Sequence, residues 1–292
     1  MVSNLREVNA HASFLEATSR RSRHHLTPQM LRFANFLSFN VNPTYEAICD
    51  EISRQLAVAT QFACGESFDD FFQDRIDVGY ICGLPYSKFA DLDEPPVELL
   101  VAPVLAEERC NGQAVYFSDV VVPANSPAQT FDELQGRAFT YNEWESYSGY
   151  HVMGWYLQQR GYDWHFFGEQ IKSGAHVKSI ELLASGQADV AALDSHSLAA
   201  ALKLDPSLQE RIRVIDSIGP SPHPPVVVGR RVSAELKAAL RHFYLNLHTM
   251  PTLQPHLATA AIERYVEVDD AYYDTIRERV DATEIRFSSR CG

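Results

Sequence analysis

No apolar run in this sequence approaches the roughly 20 residues that a helix needs to span a bilayer, so membrane insertion is not expected. Basic residues are scarce: 25 Lys and Arg stand against 38 Asp and Glu, giving a formal charge of -13. That is the wrong sign for a surface that neutralises phosphates, and no nucleic-acid partner is expected. A small anion is not excluded, because a local pocket of backbone N–H groups can oppose the global field. The five cysteines, Cys49, Cys64, Cys82, Cys110 and Cys291, are scattered and contain no C-x-x-C. Zinc and a disulfide framework are therefore not expected, and the thiols read as small core residues. The pair His24-His25 has no partner at ligand spacing, so no metal site is assigned. Also missing are G-x-S-x-G, a P-loop, H-E-x-x-H and a dinucleotide fingerprint. Neither a cofactor nor a catalytic residue is called for.

The composition that remains, 46% hydrophobic and 22% charged, is that of a globular protein with a sizeable core. Residues 1–30 form a polar extension without the apolar core of about 7–15 residues that marks a secretory signal. The fold is expected to begin near Leu31. "LRFANFLSF" reads as a strand, and a helix follows Asn42-Pro43-Thr44, with Tyr45, Ile48, Ile52 and Leu56 on one buried stripe. "TQFACG" reads as a strand, and "ESFDDFFQDRI" as a helix with Phe68, Phe71 and Phe72 turned inward. "DVGYICGLP" and "VELLVAPVL" are apolar strands without alternation, as expected where both sheet faces are covered.

Strands alternating with helices predict α/β lobes with mixed, mostly parallel sheets. The strand in "QAVYFSDVVVPANSP" runs into a turn-rich segment where the chain crosses to a second lobe. That lobe repeats the pattern: helix Ser148–Arg160, helix Val177–Ser185 and strand "ADVAALD" precede a return through Arg213–Arg230. A last helix, Ser233–His248, carries Leu236, Leu240, Phe243 and Leu247 on one face, and the tail adds one more against the first lobe. The expected division is residues 31–118 with 220–292 in lobe 1, and 119–219 in lobe 2, around a cleft.

"NEWESYSGYHVMGW" places Ser146, Tyr147, Ser148 and Gly149 where a helix begins. Ordinary capping needs one serine; two hydroxyls beside a glycine also suit an anion held on the free N–H groups of a helix front. His176 likewise follows a glycine at a helix start, where a neutral imidazole is favoured, and it is either a donor to an oxyanion or a capping residue. Asp194 ends a strand at the carboxyl edge, where open α/β sheets bind ligands, and N-capping the next helix is an equal alternative. Beside an oxyanion it would read a proton or an amine on the ligand. Tyr45 and Tyr80 could close over the ligand from the first lobe, although aromatic stripes also serve as core. Glu143 and Glu145 beside the proposed cradle leave a zwitterionic ligand open.

"SGAHVKSIELLASGQADVAALDSHS", the later "IDSIGPSPHPPVVVGR", the S-x-S-G of Ser146–Gly149 and "DVGYICGLPYSKFA" occur in one order. Together they resemble the phosphonate-type (PhnD-like) substrate-binding components of ABC importers, over about Leu31 to Leu247. The resemblance implies a two-lobed, type II periplasmic-binding-protein fold with a hinge. It also implies a small oxyanion ligand (phosphonate, phosphite or phosphate-like), an ABC permease as partner, a monomer, and Tyr45, Ser146, Ser148 and His176 at the site. It places the protein in the periplasm, whereas the N-terminus as written implies the cytoplasm. A cytosolic enzyme or a ligand sensor on the same scaffold stays open as an alternative.

Overall fold

The computed structural model describes residues 30–288, with side chains as far as 283. The polar extension, His24-His25 and Cys291 fall outside the described residues. The first half opens with β1 (Leu31–Asn35), α1 (Asn42–Leu56), β2 (Thr60–Cys64), α2 (Asp69–Phe72), β3 (Val78–Tyr80), α3 (Gly83–Ala90) and β4 (Val97–Leu105). The chain then crosses into β5 (Val115–Pro123), β6 (Ala138–Tyr141), a π-helical turn (Tyr147–His151) and α4 (Val152–Gln159). Next come β7 (Glu169–Lys172), α5 (His176–Ala184), β8 (Val190–Asp194), α6 (Ser195–Leu204) and β9 (Ile212–Pro222). It returns as β10 (Val226–Gly229), α7 (Ala234–Asn246), α8 (Gln254–Thr259), β11 (Ile262–Val266) and α9 (Asp274–Ser288).

The strands form two mixed sheets, ordered β11-β4-β10-β3-β1-β2 and β7-β6-β8-β5-β9. Pairing is parallel within the βαβ units, β2-β1-β3 and β7-β6-β8. It is antiparallel wherever a strand follows a crossing, as β10 does between β3 and β4 and β5 does beside β8 and β9. The two crossings run side by side, since Val115 pairs with Pro222 and the His223 N–H donates to the Ala114 carbonyl at 2.8 Å. Beside them Arg109 holds the buried Asp119 with both guanidinium nitrogens at 2.7 Å.

Three local expectations are corrected. The helix over "ESFDDFFQDRI" shrinks to the four residues of α2; Phe71 is buried, but Phe72 stands 43% exposed because the short turn cannot aim both rings inward. "ICGLPYSKFA" is not a strand end alone, because α3 starts at Gly83 with Pro85 in its first turn, where a missing N–H costs nothing. Of the thiols, Cys49 and Cys110 are core residues, while Cys64 is exposed and Cys82 half-buried. The C-terminal helix packs on α3 of the first sheet and on α4 of the second, so it straddles both.

Candidate ligand site

A cavity of about 700 Å³ opens between the two sheets. Its walls come from loops at the carboxyl ends of parallel strands, the edge where α/β sheets expose backbone donors. Asn35 to Phe39 follow β1, Cys64 to Asp69 follow β2, and Cys82 follows β3. From the opposite side come Asn142, Glu143, Glu145, Ser146 and Ser148 after β6, Gly174 to His176 after β7, and Asp194 with Ser197 at β8. Among the described residues no Lys or Arg belongs to the lining, whereas Glu66, Asp69, Glu143, Glu145 and Asp194 do. A second hollow of about 720 Å³, with Arg137 and Arg211 in its wall, lies at the opposite end of the second sheet, away from these loops.

Four of the eight residues expected at a site line this cavity: Ser146, Ser148, His176 and Asp194. Ser148 Oγ stands 3.3 Å from His176 Nε2, so two helix fronts distant in sequence meet here. Helix α5 has no side-chain cap, which leaves its first N–H groups to the cavity wall at Ala175 and His176. Burial pushes the His176 pKa down to about 4, so the ring is neutral. Its Nδ1 is buried and without a partner among the described residues, as are Ser38 Oγ and Asn142 Oδ1. Three such atoms around one cavity are unusual, since buried polar atoms normally find partners.

Ser146 acts as a cap: its Oγ accepts from the Gly149 N–H at 3.1 Å. Gly149 therefore spends its amide inside the turn and does not line the cavity. A Cβ there would lie 1.9 Å from Asn142 Oδ1, so any larger residue forces the Asn142 side chain to move. Asp194 is a cap that also faces the cavity. It caps α6, accepting from the Ser197 N–H at 2.9 Å, and it lines the cavity. Burial raises its pKa to about 6, against the amides of Ser197 and His196, with Asp119 adding to the rise.

The tyrosines are placed elsewhere. Tyr45 and Tyr80 stack at 3.7 Å, each 1% exposed, and the Tyr80 hydroxyl pairs with that of Tyr244 at 2.7 Å. They are core, so neither lines the cavity; burial and the charge of Asp194 raise the Tyr45 pKa. Tyr147 is fully buried and turns its hydroxyl away from the cavity lining to Ser221 and Arg279. Asn35, Ser38, Cys82, Asn142 and Ser197 join the lining without having been singled out. What they share is a position just beyond a strand's carboxyl end, a signal the sequence does contain.

A family model described as the periplasmic substrate-binding protein of the phosphonate ABC transporter matches residues 34–273. Among solved structures, the chain is similar to PhnD1 from Prochlorococcus marinus (MIT 9301) in complex with methylphosphonate. Identity is 19% and the TM-score 0.77, covering 88% of this chain and 99% of that one. A binding protein component of an ABC phosphonate transporter from Pseudomonas aeruginosa matches at 17% identity and TM-score 0.71, covering 91% and 100%. The periplasmic aliphatic sulphonate binding protein SsuA from Escherichia coli matches at 13% and 0.58, covering 91% and 89%. These likenesses show a periplasmic-binding-protein fold.

Proposed function

Because the chain belongs to the family of phosphonate ABC-transporter periplasmic substrate-binding proteins, we propose that it captures a small phosphonate, phosphite or phosphate-like oxyanion in the cavity between the sheets. The observation that carries this reading is the meeting of Ser148 and His176 across 3.3 Å, at a cavity lined by two helix fronts and, among the described residues, no Lys or Arg. Helix-front amides, the Ser148 hydroxyl and the neutral His176 ring supply donors to the oxygens. Asp194, with a pKa near 6, accepts from a protonated oxygen or an amine and disfavours a fully ionised guest. Tyr147 and Gly149 act by shaping the turn, and Tyr45 and Tyr80 by stiffening the wall behind Asp194.

Two lobes, built on the first and second sheets with boundaries near residues 118 and 219, close around the ligand by bending at the paired crossings. The closed form is what an ABC permease receives. Membership of a family of transport substrate-binding proteins supports a binding role. Ser148 and His176 resemble a nucleophile with its base, but Nδ1 has no partner among the described residues, so no third group holds the ring in a base's orientation.

Isothermal titration of ligand-stripped protein with methylphosphonate, phosphite, phosphate and sulfate tests the proposal. At least one phosphorus oxyanion binds with a Kd of about 10 μM or tighter, equivalent to about 7 kcal/mol. Absence of heat from all four rejects it.

A further inference from the structure

We propose that Arg279, on the C-terminal helix α9, is a positioning residue for the oxyanion cradle and acts through the Tyr147 hydroxyl. The inference rests on reading the Ser146–Gly149 turn as that cradle. Tyr147 sits between Ser146, which caps the turn, and Ser148, which faces His176, so displacing it moves both. Its side chain is 0% exposed and its hydroxyl has two neighbours, Ser221 Oγ at 3.3 Å and Arg279 Nη1 at 3.1 Å.

The guanidinium ties three parts of the molecule. It donates to Tyr147 on the cradle turn, to Ser221 Oγ at 2.9 Å and the Pro220 carbonyl at 3.4 Å on β9, and it lies 4.5 Å from the Trp155 ring centroid on α4. Its neighbour Arg277 is the contrast: that side chain is spent on Asp91, Asp270 and Asp274. Arg279 has no carboxylate within ion-pair distance among the described residues; its partners are hydroxyls, a carbonyl and an indole. A guanidinium without a counter-charge keeps its positive field, here directed at the back of the turn that receives the anion. Tyr147 and Ser221 both accept from Nη1 while Nη2 reaches the Pro220 carbonyl, so the planar fork joins the cradle turn to two successive residues of β9.

The test uses the full chain with Arg279→Gln, Tyr147→Phe, the double variant and Arg279→Lys. Hydrogen exchange in ligand-free protein reports on residues 146–152, and titration with methylphosphonate reports on the cradle. Either single change speeds exchange across 146–152 by about tenfold while the strands of the second sheet stay protected. Methylphosphonate binding weakens about tenfold in each, the double variant is no worse than the singles, and Arg279→Lys recovers part of the loss. Unchanged exchange at 146–152 in Arg279→Gln, or losses that multiply in the double variant, would overturn the proposal. Should Arg279→Gln fail to fold, unchanged exchange in both Tyr147→Phe and Arg279→Lys overturns it equally. Wild-type protein that ignores methylphosphonate would instead count against the oxyanion reading, and the exchange result still decides the role of Arg279.

Discussion

Asp194 is pulled two ways. Capping α6 favours its charged form through the Ser197 amide, while burial favours the acid and wins, leaving the pKa near 6 instead of 3.8. At neutral pH the carboxylate is ionised at a cost of about 3 kcal/mol, from about 1.4 kcal/mol per pKa unit. The folded form binds the proton more tightly than the unfolded chain, so this group lowers stability as pH rises from about 3.8 to about 6. Asparagine keeps the cap and removes the charge. Asp194→Asn is therefore expected to stabilise the protein by about 1–3 kcal/mol at pH 7.5 and by little near pH 4, read from urea unfolding. Equal effects at both pH values would mean that the carboxylate is not strained. Because Asp194 accepts only from a protonated oxygen, wild-type affinity for methylphosphonate falls as rising pH strips the ligand of its last proton, by up to about tenfold per pH unit. Titrations between pH 5 and 8 would show that slope, and Asp194→Asn should flatten it.

Among the elements, the tyrosine stack is where the sequence argued against the resemblance. Spacing had already put Tyr45 on the buried stripe of α1 with Ile48 and Ile52, and it is there, stacked on Tyr80. A structural role has a clear signature. Tyr244→Phe removes the partner of the Tyr80 hydroxyl and costs about 1–2 kcal/mol of stability, measured by chemical denaturation. Ligand affinity should stay within twofold; a larger loss would return Tyr80 to the binding surface. The two helix fronts at Ser148 and His176 were legible, since serine, glycine and a following apolar period mark a helix start. The π-helical turn was not, because its register depends on Asn142 packing against Gly149. Helix α3 was missed because Gly83 and Pro85 signal a turn as readily as a first helical turn. Asn35, Ser38 and Asn142 carry no periodicity, and only the convergence of strand ends reveals them.

For the whole molecule, the proposed closure draws on hydrogen bonds that cross between the two sheets' elements. Asn40, in the turn before α1, donates from Nδ2 to the Ser197 carbonyl at 3.0 Å, and His196 Nε2 meets the Ala260 carbonyl at 2.6 Å. Asn40→Ala removes one such bond, worth about 1 kcal/mol, and shifts the lobes toward the open form. Methylphosphonate affinity is expected to drop about fivefold, with a larger radius of gyration in small-angle scattering of the ligand-free protein. An unchanged radius with unchanged affinity would place the closing contacts elsewhere.

The position of β10 has one further consequence. All strands of the second sheet lie between Val115 and Pro222, but the first sheet keeps a gap between β3 and β4 until Val226–Gly229 is available to fill it. During synthesis the later-encoded half can therefore mature first, while the earlier half waits on the ribosome with an open seam. Arrested nascent chains ending near residue 250, once β9 has cleared the exit tunnel, should already protect β5 to β9 from protease yet leave β1 to β4 susceptible. Early protection of β1 to β4 would mean that the seam closes without its central strand.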